Sequence, residues 1–202
     1  VATNGGGLRS NSSGRGNAGN VIINVAETAR FSGTSVGMVD SSGVVSRLAA
    51  TGQGEGGDID ITAKNVEIDN FAALSADSEG TGNAGNITLN LEEQFRATDG
   101  SVLTSSVGNS GGTITLNARD VRLSGDSALL TAAVGGEGRG GDITITADTV
   151  VAFDDTDILA FSQQAQGGNI TIAAPAFFGE NYSSVLARTD TNAETSADAV
   201  GV

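Results

Sequence analysis

The chain has 202 residues, with 24 acidic side chains, 10 basic ones and a formal net charge of −14. That balance excludes a nucleic-acid binder or a ligand of anionic membranes, both of which need clustered Lys and Arg. No cysteine and no histidine means no disulfide, no thiolate metal site and no histidine-activated nucleophile, and no run of about 18 apolar residues is present to span a membrane.

Glycine occurs 30 times. Scattered glycine signals disorder, but here it recurs at fixed places. Residues 1–18 read as the last side of one coil followed by a glycine corner, and a start at Val1 marks a processed chain or an excised piece. The first full phrase is Gly19-Asn20-Val21-Ile22-Ile23. It returns as Gly57-Asp58-Ile59-Asp60-Ile61, Gly85-Asn86-Ile87-Thr88-Leu89 and Gly112-Thr113-Ile114-Thr115-Leu116. The last copies are Gly141-Asp142-Ile143-Thr144-Ile145 and Gly168-Asn169-Ile170-Thr171-Ile172. The anchor glycines at 19, 57, 85, 112, 141 and 168 lie 38, 28, 27, 29 and 27 residues apart by subtraction. Such a period marks a solenoid.

Each repeat holds three short strands. The first alternates strictly, as in Ile87, Leu89 and Leu91 against Thr88 and Asn90. A second follows at Asn65–Asp69 and Asp120–Ser124, and a third at Ser101–Ser105 and Asp157–Phe161. The predicted fold is all-β: a right-handed, three-sided parallel β-helix of six to seven coils of about 28 residues. It forms one domain over 1–188, with 189–202 a tail or the start of a further coil. At roughly 4.8 Å per coil the rod is on the order of 30 Å long.

Stacking sets like over like. Val21, Ile59, Ile87, Ile114, Ile143 and Ile170 form one inward column. Ile23, Ile61, Leu89, Leu116, Ile145 and Ile172 form the next. Ala63, Ala118, Ala147 and Ala174 mark a tight corner, and Phe31, Phe95, Phe153 and Phe177 or Phe178 fill the second side. Asn20, Asp58, Asn86, Asp142 and Asn169 stack as a turn ladder beside the glycines. The long first interval puts a loop insertion at about 32–41, in the place where solenoids carry recognition or tolerate insertions. Both ends lack a polar cap, so the coils continue in a longer chain or stack end to end on further copies.

Without histidine the remaining chemistry is carboxylate chemistry. Asp154-Asp155-Thr156-Asp157 is the densest acidic cluster, and its position in a turn reads as a solvated acidic corner. Calcium is the one cofactor the sequence raises, at Asp58, Asp142, Asp154, Asp155 and Asp157. Gly138-Arg139-Gly140-Gly141-Asp142 looks like half of a calcium-binding glycine repeat, but recurs once per coil rather than every nine residues. Thr88, Thr115, Thr144 and Thr171 form an outward column, flanked by Asn90, Asn117 and Thr146. Flat threonine ladders of this kind can match an ice lattice, and threonine is also simply a good exposed strand residue. Asn86-Ile87-Thr88, Asn169-Ile170-Thr171 and Asn181-Tyr182-Ser183 match the N-glycosylation pattern by chance.

The phrases Gly16-Asn17-Ala18-Gly19-Asn20-Val21 and Gly82-Asn83-Ala84-Gly85-Asn86-Ile87 resemble the repeats of filamentous-haemagglutinin-like exoproteins. Phe31-Ser32-Gly33-Thr34-Ser35, ahead of Ser42-Gly43, looks like a variant of the same repeat. The resemblance spans residues 14 to 188 and belongs to the repeat, not to an activity. It implies export from a Gram-negative cell through an outer-membrane transporter of the two-partner type. It also implies display as a long adhesive surface rod, with a glycan or cell-surface receptor as partner. The secretion domain that engages the transporter is not recognisable here. The reading is therefore a non-catalytic structural or adhesive module. A polysaccharide-binding or polysaccharide-cleaving β-helix is the alternative, and an ice-binding solenoid the third.

Overall fold

Alternation at period two gives each strand one face that water rejects, and a parallel neighbour with the same pattern covers it. In a computed structural model, which describes residues 1–34, 41–179 and 184–189, the chain stacks such strands as a parallel β-solenoid of about 6 turns. An incomplete turn holds β1 (Ala2–Thr3) and β2 (Gly7–Ser12). The first full coil is β3 (Val21–Asn24), β4 (Thr28–Ser32) and β5 (Gly43–Leu48). The second is β6 (Ile59–Asp69) and β7 (Ala73–Ser78), the third β8 (Ile87–Thr98) and β9 (Ser101–Val107). The fourth is β10 (Ile114–Asn117), β11 (Asp120–Ser124) and β12 (Ala128–Val134). The fifth is β13 (Ile143–Thr146), β14 (Thr149–Ala152) and β15 (Asp157–Ser162), and the sixth β16 (Ile170–Ala173), β17 (Ala176–Gly179) and β18 (Ser184–Thr189).

The first and second sides of the coil share one 11-stranded sheet, and the third side is a 7-stranded sheet of its own. The expected separation of first and second strands holds in the first coil and in coils four to six. In coils two and three, β6 and β8 run straight through the corner, with a register shift between Ala63 and Asn65. There Leu91 pairs with Ala63, at the position where the first coil has Val25 and coils four to six carry alanine.

Pairing runs Val21–Ile59–Ile87–Ile114–Ile143–Ile170 and Ile23–Ile61–Leu89–Leu116–Ile145–Ile172 without a slip. The inner four residues of each column are fully buried, while Val21, Ile23, Ile170 and Ile172 are only partly covered on the outermost coils. A third-side column pairs Leu8, Val44, Leu74, Val102, Leu129, Ile158 and Val185. Its members Val44 to Ile158 join the same core.

The phenylalanines do not all share one column. Phe31 pairs with Ile68, whereas Phe95 lies between Val66 and Val121, two residues earlier along the strand. Both are buried, but Phe153 lies just beyond β14 and is 39% exposed. Phe177 continues the Phe95 column through Val150, and Phe178 points outward at 55% exposure. The difference lies in which inward position carries the aromatic: the residue in register with Phe31 through Ile68 is Ala97, ten residues after Ile87 as Phe31 is ten after Val21, whereas Phe95 takes the inward position two residues earlier.

The insertion is closed at its base by an antiparallel bridge between Thr34 and Ser41 and by the Ser42 N–H donating to Gly33 O at 2.8 Å. Residues 35–40, at the heart of the expected recognition loop, lie outside the described residues, as do 190–202 of the expected tail.

Candidate functional site at the glycine corner

Turning from the third side back to the first requires neighbouring backbones to touch, because coils stack at strand spacing all the way round. A β-carbon on Gly112 would lie 1.8 Å from Gly85 O, and one on Gly141 1.8 Å from Gly112 O. Glycine is what lets the stack pass this corner.

Two hydrogen-bonded ladders flank the glycines. In the outer one, the Asp58 N–H donates to Asn20 Oδ1 (2.9 Å) and the Asn86 N–H to Asp58 Oδ1 (2.8 Å). The Thr113 N–H then donates to Asn86 Oδ1 (2.9 Å), and the Asn169 N–H to Asp142 Oδ1 (2.7 Å). Thr113 supplies the rung absent from the predicted set. Its hydroxyl turns back to donate to Asn86 Oδ1 at 2.8 Å, so the ladder runs in two lengths, 20 to 113 and 142 to 169. A second ladder lies three residues earlier. The Glu55 N–H donates to Asn17 Oδ1 (3.0 Å) and the Asn83 N–H to Glu55 Oε2 (2.8 Å). The Ser110 N–H donates to Asn83 Oδ1 (3.1 Å), and the Arg139 N–H to Ser110 Oγ (3.2 Å). The phrase Gly-Asn-Ala-Gly-Asn signals it, because its first asparagine repeats with the same period as its second.

From inside, the third side satisfies the corner's carbonyls. Ser46 donates to Gly19 O (2.9 Å), Thr104 to Gly112 O (2.9 Å) and Ser106 to Gly82 O (2.9 Å). Ser162 donates to Gly138 O (2.7 Å), and Thr131 to Gly141 O. These hydroxyls are buried, and each removes an acceptor that burial would otherwise leave unpaired. Removing one rung outside is milder, because water reaches it. Asn86→Ala is expected to lower stability by about 1 kcal/mol, read as a shift in the urea midpoint, while Asn86→Gln changes register reach and recovers only part.

The ladders wall an open groove of about 480 Å³ over the first coils, with Glu55 and Asp58 on its two sides. The carboxylate oxygens nearest the backbone already accept the next coil's N–H groups. Among the described residues, no three Asp or Glu side chains gather as a cation site. Asp58 and Asp142 stand on separate coils of this corner. Asp154, Asp155 and Asp157 lie at the corner between second and third sides, so the five calcium candidates are not one cluster. Asp154 occupies a left-handed turn position (φ 61°), and its Oδ2 accepts the Gly125 N–H at 3.3 Å. Asp157 opens β15 in register with Ala128. The outward threonines pair in sequence, Asp60–Thr88–Thr115–Thr144–Thr171, with Ile22 above Asp60. Beside them the Asn117 amide donates to Asn90 Oδ1 at 2.8 Å.

At the corner between second and third sides most coils place one left-handed residue: Asp99 (φ 52°), Gly125 (φ 64°) or Asp154 (φ 61°). The second coil places two, Asn70 (φ 53°) and Phe71 (φ 64°), and Phe71 is 57% exposed. A bulky side chain in that region costs roughly 1–2 kcal/mol. Phe71→Gly is therefore expected to raise the melting temperature by a few degrees. A fall would mean that the ring's packing outweighs its backbone strain.

Next to this turn, Asp69 accepts from Ser32, from Arg30 (2.9 Å) and from Asn70 (2.7 Å). Burial pushes its carboxyl upward, but these hydrogen bonds and the Arg30 charge outweigh it and hold it below the usual carboxylate range. A folded-state value lowered in this way adds stability above the unfolded value and loses it as pH falls through the folded one. The stability gap between the native chain and Asp69→Asn is thus expected to be widest near neutrality and to close in acid, as followed by melting temperature against pH.

No protein-family model matches the chain, and neither the search of curated proteins nor that of solved structures returns a match.

Proposed function

We propose that the chain is a non-catalytic rod segment of an exported, filamentous-haemagglutinin-like surface fibre, with adhesion as its role. The carrying observation is how the polar side chains of the repeat are employed. The outer and inner ladders, and the buried hydroxyls behind them, are spent on holding one coil to the next. Such a chain gains length and stiffness by adding coils, which is what a surface rod requires. The resemblance of the Gly-Asn-Ala-Gly-Asn phrase to two-partner-secretion exoproteins supports an extracellular place on a Gram-negative cell. It also supports a receptor or glycan as partner and an outer-membrane transporter during export.

Antibody labelling of intact producing cells tests this, combined with protease shaving and electron microscopy of the shed material. Surface label and slender rods are expected, and a chain found only inside unbroken cells would overturn the reading. The polar groove at the glycine corner favours one second reading, polysaccharide binding. Incubation with neutral and acidic polysaccharides separates the two: release of reducing ends would make the chain a glycan-cleaving enzyme, against the rod reading.

A further inference from the structure

We propose that the groove along the glycine corner is a binding site for an uncharged linear polysaccharide, laid parallel to the rod axis with one sugar ring to each coil. The inference rests on the reading above that the rod meets a glycan, and names the place and the class. Each of the first three coils brings two polar residues to this corner with two small ones between them: Asn17 and Asn20, Glu55 and Asp58, Asn83 and Asn86. Backbone bonds keep the coils in step. The Ala18 N–H donates to Glu55 O (2.9 Å), the Gly56 N–H to Asn83 O (2.8 Å) and the Ala84 N–H to Ser110 O (3.0 Å). Stacking turns the small residues into a floor and the polar ones into two walls, and the open space between them is about 480 Å³. That volume lies in the range of small-ligand sites.

The ladders use only part of each side chain. Asp58 Oδ1 takes the Asn86 N–H and Glu55 Oε2 the Asn83 N–H, which leaves Asp58 Oδ2 and Glu55 Oε1 unused. The Oδ1 atoms of Asn17, Asn20 and Asn83 are taken in the same way, while their Nδ2 groups donate to no described residue. The groove thus offers spare donors on coils one and three and spare acceptors on coil two. Sugar hydroxyls donate and accept, and so meet both. Spacing selects the polymer. The groove spans coils one to four, three steps of roughly 4.8 Å, and each ring of an extended pyranose chain advances by close to one such step. A peptide strand advances about 3.3 Å per residue and falls out of step. Charge selects the class. Glu55 and Asp58 are the only charged side chains lining the groove, on a chain of net charge −14, so a polyanion is repelled. No aromatic ring lines it either, so affinity comes from hydrogen bonds repeated along the ligand and grows with ligand length.

Isothermal titration calorimetry on the full chain tests this, with neutral cello-, xylo-, manno- and N-acetylchito-oligosaccharides of two to six rings as probes and oligogalacturonates as their anionic counterpart. At least one neutral series is expected to bind with a Kd of about 1 mM or below at four rings, about tenfold tighter than at two, and the oligogalacturonates are not. Asn83→Asp keeps the Oδ1 rung but replaces the spare donor with an acceptor, and is expected to weaken binding about tenfold with an unchanged melting profile by circular dichroism. Asn90→Asp adds the same charge on the outer face of the first side and is expected to change nothing. The proposal is overturned if no neutral series binds at about 10 mM, or if oligogalacturonates bind as tightly. Binding that Asn83→Asp leaves intact, or that Asn90→Asp weakens equally, overturns it too. Each of these failures leaves the rod standing. Release of reducing ends, or a chain absent from the cell surface, strikes the rod whether or not the groove holds sugar.

Discussion

Gly112→Ala is expected to destabilise the chain by about 3 kcal/mol or more, seen as a large fall in the urea midpoint. The added carbon would sit 1.8 Å from Gly85 O and 2.6 Å from its carbonyl carbon, both backbone atoms of the coil beneath. A flexible side chain could swing aside, but a backbone held by its own ladder cannot. Gly112 also accepts from Thr104 inside, so the coil is fixed on both faces. Gly14→Ala is the matched control. Nothing lies within 4 Å of a β-carbon there, and the change is expected to shift stability by no more than about 0.5 kcal/mol. Equal effects at the two sites would mean that close stacking at this corner does not hold the coils.

Phe95→Ala is expected to cost about 3–5 kcal/mol. Phe95 is fully buried, the largest such side chain in the core, and lies in register between Val66 below and Val121 above. Truncation opens a cavity that neither valine can fill, because each is fixed by its own ladder pairs. Phe153→Ala, on a ring already 39% exposed, is expected to cost far less. Thermal or urea unfolding of the two variants side by side measures the difference, and a reversed order would place the aromatic core elsewhere.

The period, the six anchor glycines and the two first-side columns were legible because one alternating phrase repeats with strong β-branched residues on one face. The third side was harder. In Ser101-Val102-Leu103-Thr104-Ser105 either face could be the inner one: Leu103 is as apolar as Val102, and Thr104 looks like a solvent residue. The fold takes Val102 and Thr104 inward, because the Thr104 hydroxyl reaches Gly112 O across the coil. A lone sequence does not show that partner, so the buried hydroxyls could not be read from it. The aromatic column failed for a related reason. Phe31 and Phe95 stand 10 and 8 residues after Val21 and Ile87 by subtraction, so they take two different inward positions of the second side, and the residue in register with Phe31 in the third coil is Ala97. The outer ladder was legible from its recurring Asn and Asp. The second ladder was signalled only by Asn17 and Asn83, because Glu55 and Ser110 share an acceptor oxygen with them but not a residue type.

In-register stacking of successive coils is the claim on which the rod, the ladders and the groove all depend. A distance between spin labels on Asp60→Cys and Thr171→Cys tests it most directly, since the native chain has no cysteine to interfere. The two positions belong to one outward column and are separated by four coil steps. A single narrow distance near 19 Å, four strand spacings of roughly 4.8 Å apart from label reach, is the expected result. A broad distribution, or a distance tens of ångströms longer, would contradict the stack.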